Sequence, residues 1–110
     1  MSDQLGISVA VLGSSAVISL AGELDLVGAP GLADAVLDLI EGGSRTIVVD
    51  LEGLAFLDAA GIGALVGANR RVEGVAGTFS VRAPSPLARH ILELCSLERL
   101  VGEPSLPAPS

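Results

Sequence analysis

Residues 47–66, IVVDLEGLAFLDAAGIGALV, decide the fold. The apolar run 47–51 reads as a strand covered on both faces, and therefore as a central one. Asp58 stands where a helix N-cap belongs, with a carboxylate that can accept the free amides of a first helical turn. From there residues 59–73 place Ile62, Leu65, Val66, Asn69 and Val72 on one face, with Ala60, Ala64, Gly67 and Ala68 as small neighbours suited to close packing on a sheet. Gly74 ends that helix.

Upstream, the β-branched runs 7–12 and 16–21 are separated by Gly13-Ser14-Ser15, a short polar turn that folds them into an antiparallel hairpin. A helix follows from Pro30 at its first position, with Leu32, Val36, Leu39 and Ile40 on one face and Gly42-Gly43 as its stop. Downstream, residues 78–83 alternate as a half-buried strand. Ser85 then caps, and Pro86 starts, a third helix with Leu87, Ile91, Leu94 and Cys95 as its apolar stripe. The order hairpin, helix, strand, helix, strand, helix predicts a single α/β domain: one mixed sheet of four to five strands, with parallel right-handed crossovers, packed with three to four helices. That domain spans residues 1–102, and the proline-rich stretch 103–110 is a flexible tail.

Composition narrows the function. Thirteen acidic against six basic residues give a net charge of −7, and Phe56 and Phe79 are the only aromatic residues. Such a surface repels phosphate backbones and offers no stacking platform, so nucleic acid is not expected as a partner. All six cations are Arg, which removes Schiff-base chemistry and the lysine of a P-loop. One Cys and one His provide neither a disulfide framework nor a zinc site within one chain, so no metal or cofactor is expected and a reducing, cytoplasmic location fits best. No signal peptide and no stretch near about 20 apolar residues is present, which argues against membrane insertion.

The chemistry-bearing positions lie around the second helix start. Ala59, Ala60, Gly61 and Gly63 leave that turn bare, open to close approach by another molecule, although a well-capped helix with small packing residues explains the same letters. Glu23 and Asp25 read as a solvated turn, with Asp25 positioned to hydrogen-bond local backbone. Asp50, inside an apolar strand, must find donors and is read as structural, holding the loop that follows. Gly61 to Gly67 imitates a dinucleotide fingerprint, but its third glycine is one residue late and no acid stands about 20 residues beyond. His90 has no evident nucleophile or acid partner, and Cys95 is read as an inert buried thiol.

Three motifs in order, Gly22-Glu23-Leu24-Asp25, then Val48-Val49-Asp50-Leu51 with Phe56-Leu57-Asp58-Ala59-Ala60-Gly61-Ile62-Gly63-Ala64-Leu65, then Ser85 through Leu94, resemble the STAS domain family, and in particular its bacterial anti-sigma factor antagonists. The resemblance implies a non-catalytic switch protein that binds an anti-sigma factor of the serine-kinase type and frees a sigma factor. It implies a partner-binding surface of Glu23, Asp25, Leu57, Asp58, Ala59, Ala60, Gly61 and Ile62. In that family a serine at the position of Ala60 is phosphorylated to turn binding off; here there is no hydroxyl, so the protein is expected not to be switched at that place. The alternatives are a STAS subunit of a transport or stress-signalling complex, a small nucleotide-binding protein using Gly61 to Gly67, and a homodimer built on an exposed apolar helix face.

Overall fold

The structure is a computed structural model that describes residues 5–82 and 85–94, apart from the side chains of Leu87, Ile91 and Leu94. Seven elements follow in order: strand β1 (Leu5–Leu12), strand β2 (Ser15–Leu24), helix α1 (Ala29–Glu41), strand β3 (Thr46–Leu57), helix α2 (Ala59–Glu73), strand β4 (Thr78–Arg82) and helix α3 (Pro86–Leu94). The four strands form one sheet in the order β1-β2-β3-β4. β1 and β2 are antiparallel, while β2–β3 and β3–β4 are parallel. The expected mixed sheet is therefore present, with four strands and three helices among the described residues. The boundaries 1–102 and 103–110 run beyond the described residues, as does Cys95.

The hairpin turns in two residues rather than three, because Ser15 already pairs with Leu12. Gly13 has φ +61°, the left-handed conformation that a tight two-residue hairpin asks of glycine at its first loop position. Helix α1 begins one residue before Pro30, with Gly28 as N-cap. It ends in a Schellman arrangement: the Gly43 amide donates to the Ile40 carbonyl at 3.0 Å, the Ser44 amide to the Leu39 carbonyl at 2.9 Å, and Gly43 takes φ +102°. Leu32, Val36 and Leu39 are buried as expected, and Ile40 is half-buried. Helix α3 is capped as the sequence indicates, the Ala88 amide donating to Ser85 Oγ at 3.1 Å. Its described core residues are Ala88 and Leu92; the stripe Leu87, Ile91, Leu94 and Cys95 lies outside the described side chains.

β3 departs most from the sequence reading. It is an interior strand but is covered on one face only: Ile47, Val49 and Leu51 are buried, whereas Val48 and Asp50 are half-buried. It also runs six residues past Leu51, through a segment read as loop. Two register shifts against β2, between Ser19 and Ala21 and between Gly22 and Glu23, each insert an extra β3 residue. The bulges change the burial spacing from two to three, so that Leu51, Leu54 and Leu57 all face the core. A Cβ on Gly53, in the first bulge, would press on the Leu20 carbonyl oxygen and the Ala21 side chain at 3.1 and 3.2 Å. Asp50 serves this bulge and not a loop. Its Oδ1 accepts the Glu52 amide at 2.8 Å, and its Oδ2 accepts from Arg82 Nε on the neighbouring strand at 3.0 Å. β2 likewise continues through Gly22-Glu23-Leu24, so the turn begins only at Asp25.

The core is a single cluster, aliphatic but for one ring, drawn from the inner face of β2, β3 and β4 and from all three helices. Phe79 belongs to it and Phe56 does not.

Candidate functional site

The extension of β3 fixes the site. It carries Leu57 alongside Leu24 and delivers Asp58 to the same end of the sheet, where the Asp58 amide donates to the Leu24 carbonyl at 3.4 Å. Asp58 is extended at φ −119°, and its Oδ1 accepts the Gly61 amide at 2.9 Å, the N-cap bond that the sequence indicated. The junction from strand to helix is thus held by two hydrogen bonds from one residue.

The eight expected binding positions divide by burial. Leu57, Gly61 and Ile62 are buried. They lie beneath the turn, with Leu57 at 7% and Ile62 at 9% exposure. Gly61 is glycine for a packing reason, because a Cβ there would run into the Leu24 carbonyl oxygen and the Leu57 side chain. Its amide is also already bound to Asp58. Of the fingerprint-like glycines, Gly61 is accounted for by close approach of the chain, whereas a Cβ on Gly63 or Gly67 would meet nothing within 4 Å. Ala59 and Gly63 are exposed and Ala60 is half-buried, and nothing stands within 4 Å of where a Gly63 Cβ would be. The first turn of α2 is thus small and uncharged on its outer side.

Around this turn stand acids and three apolar side chains that the sequence reading missed. Glu23 is exposed at the end of β2, in register with Phe56. Asp25 is half-buried, and its Oδ1 accepts the amides of Val27 at 3.1 Å and Gly28 at 2.9 Å, shaping the turn into α1. That turn presents Leu26 and Val27 to solvent at 76% and 81% exposure, and β3 presents Phe56 at 47%. An apolar pair inside a stretch flanked by Asp25 and Gly28 was the available signal, since turns seldom expose such residues without cause. A shallow groove of about 230 Å³ between β1 and the start of α1 is lined by Leu5, Ile7, Asp25, Val27, Gly28 and Gly31. Among the described residues no cluster of three or more His, Cys, Asp or Glu is placed to hold a metal, and no helix is long and apolar enough to cross a membrane.

Comparison with known proteins agrees with this geometry. The sequence profile described as "Mlab, STAS domain" matches residues 7–102. An anti-sigma F factor antagonist of Lysinibacillus sphaericus is 37% identical over 82 residues, covering 74% of this chain and 70% of that protein. The anti-sigma-F factor antagonist RsfB of Mycobacterium tuberculosis is 28% identical over 97 residues, 88% of this chain and 79% of its own. Among solved structures, the anti-sigma factor antagonist SpoIIAA in its unphosphorylated form superposes with a TM-score of 0.78 at 28% identity, covering 88% of this chain and 86% of that one.

Proposed function

This chain belongs to the STAS domain family, alongside the anti-sigma factor antagonists it resembles along most of its length, and from that premise we propose that it acts as an anti-sigma factor antagonist in the cytoplasm. It binds an anti-sigma factor of the serine-kinase type through the first turn of α2 and thereby releases a sigma factor. It needs no cofactor and carries out no reaction of its own. The observation that carries this reading is the bare, capped turn Asp58-Ala59-Ala60, bordered by exposed Leu26, Val27 and Phe56 and by the carboxylate of Glu23. Small residues let a partner's backbone approach, the apolar side chains give buried area, and the acids select a basic counterpart.

By the resemblance, Ala60 stands where such antagonists carry the switching hydroxyl. A phosphate there adds about −1.5 to −2 charges to a docking surface. With alanine the surface stays neutral, so binding is governed by the concentrations and relative affinities of the competing partners. Isothermal titration of the protein into its cognate anti-sigma factor, with and without the sigma factor present, tests the proposal. Binding and displacement of the sigma factor are expected, and an anti-sigma factor that keeps its sigma factor at saturating protein would overturn it.

A second reading, favoured by the same alanine, seats the domain as a subunit of a transport or stress-signalling complex, where no phosphorylatable residue is needed. Affinity purification from the native cell separates the two: a kinase-like partner supports the first, membrane-transport subunits the second.

A further inference from the structure

The large apolar side chains exposed among the described residues fall into two groups. Phe56, near the end of β3, and Leu26 and Val27, in the turn after β2, lie at the end of the sheet where α2 starts, and Val27 also lines the groove it shares with Ile7. The other group, Ile7, Val9, Val11 and Leu12, lies on β1 and has no part in the proposed function. In the β1–β2 register Ile7, Val9 and Val11 stand opposite Leu20, Ile18 and Ala16, all three of which are in the core. The stripe therefore belongs to the helix-bearing face but lies where the helices no longer cover it. The cover thins along the strand. A Cβ on Gly31 of α1 would sit 3.2 Å from Ile7 Cδ1, and exposure rises from 36% at Ile7 to 46% at Val9 and 57% at Val11. No exposed large apolar residue lies on a helix among the described side chains, which leave out Leu87, Ile91 and Leu94 of α3.

β1 is an edge of the sheet. Protein edges are usually blunted by charges, proline, bulges or short length. β1 has eight residues with no charge and no proline, and its register with β2 is unbroken. Charge placement identifies what can meet it. The chain carries a net charge of −7, so two copies repel over most of their surface. β1 and the β2 stretch paired with it, Ser15 to Gly22, contain no charged residue at all.

We propose that β1 pairs antiparallel with β1 of a second copy, joining two four-stranded sheets across a two-fold axis. With the axis at Val9, Ile7 of one copy faces Val11 of the other and Val9 faces Val9, so the two stripes merge into one apolar surface on the helix-bearing side. Such a contact is self-complementary, as a two-fold interface must be, and sets no like charges against each other. It stands apart from the proposed function, since neither requires the other.

Sedimentation equilibrium of the full 110-residue chain, 11.0 kDa per copy, tests this. The mass is expected to approach twice that value as concentration rises. Val9→Lys, which sets two cations together on the axis, should raise the dissociation constant at least tenfold, whereas Val9→Ile should leave it within about threefold. Should Val9→Lys fail to fold, Val11→Glu at the more exposed position gives the same readout. A single-copy mass at every concentration up to about 1 mM, or a dimer indifferent to both charged variants, would overturn the proposal.

Discussion

The start of α2 and the edge strand β1 both leave apolar side chains in water, but the first lies at the sheet end that carries Glu23 and Asp58, whereas the β1 stripe meets Asp25 at its Ile7 end, in the groove that both line. Phe56, Leu26 and Val27 stand near Glu23 and Asp58, whereas Ile7, Val9 and Val11 stand in a charge-free stretch of a strongly acidic chain. The difference teaches that apolar area attracts without choosing, and that the surrounding charge selects the kind of partner: a basic heterologous protein in the one proposal, an identical copy in the other. The two regions also differ in how they are built. The α2 start is locked by the Leu24 carbonyl, the Asp58 cap and a glycine with no room for a methyl group, while β1 is held by a regular ladder on one side.

Substitutions can break this contrast, and the largest effect is expected at Gly61. Gly61→Ala drives a methyl group into the Leu24 carbonyl and the Leu57 side chain, and should cost about 3 kcal/mol in urea unfolding. A loss below about 1 kcal/mol would mean that the strand–helix junction is not rigid. Asp50→Ala should cost about 2 kcal/mol, because it leaves the bulge amide of Glu52 unpartnered and removes the link to Arg82. Asp58→Ala removes the N-cap and should lower stability by about 1 kcal/mol. On the other side of the comparison, Val9→Lys, measured dilute enough to keep the chain single, should change stability by less than about 1 kcal/mol. The smallest effect is expected at Gly63, where a methyl group meets open space, and Gly63→Ala should stabilise by about 0.5 kcal/mol through the better helix former.

Much of this was legible in the sequence because local rules agreed. The two β-branched runs, the helix faces through Leu32 and Val36 and through Ile62 and Leu65, and the caps at Asp58 and Ser85 all follow from period and capping chemistry. The second half of β3 was not legible, because two bulges space Leu51, Leu54 and Leu57 by three and erase the alternation that marks a strand. Gly22 and Gly53 look like loop residues for the same reason: both sit at register shifts inside strands, Gly22 with φ +96°. Of the site, the bare turn and its cap could be read directly. The burial of Ile62 followed from its helix face, but that of Gly61 beneath exposed Ala59 could not be read, since it depends on Leu24, a residue more than 30 positions away from the turn's own amides. Nor could the exposure of Ile7, Val9 and Val11, because an alternating strand reads alike at the edge and in the middle of a sheet.

The central claim is that the uncharged first turn of α2 is where the partner lands. Calorimetric titration of Ala60→Glu against the cognate anti-sigma factor, beside the unaltered protein, tests it most directly. The account predicts an affinity more than tenfold weaker, a loss above about 1.4 kcal/mol, with the fold intact by circular dichroism. Equal affinity for the two proteins would contradict it.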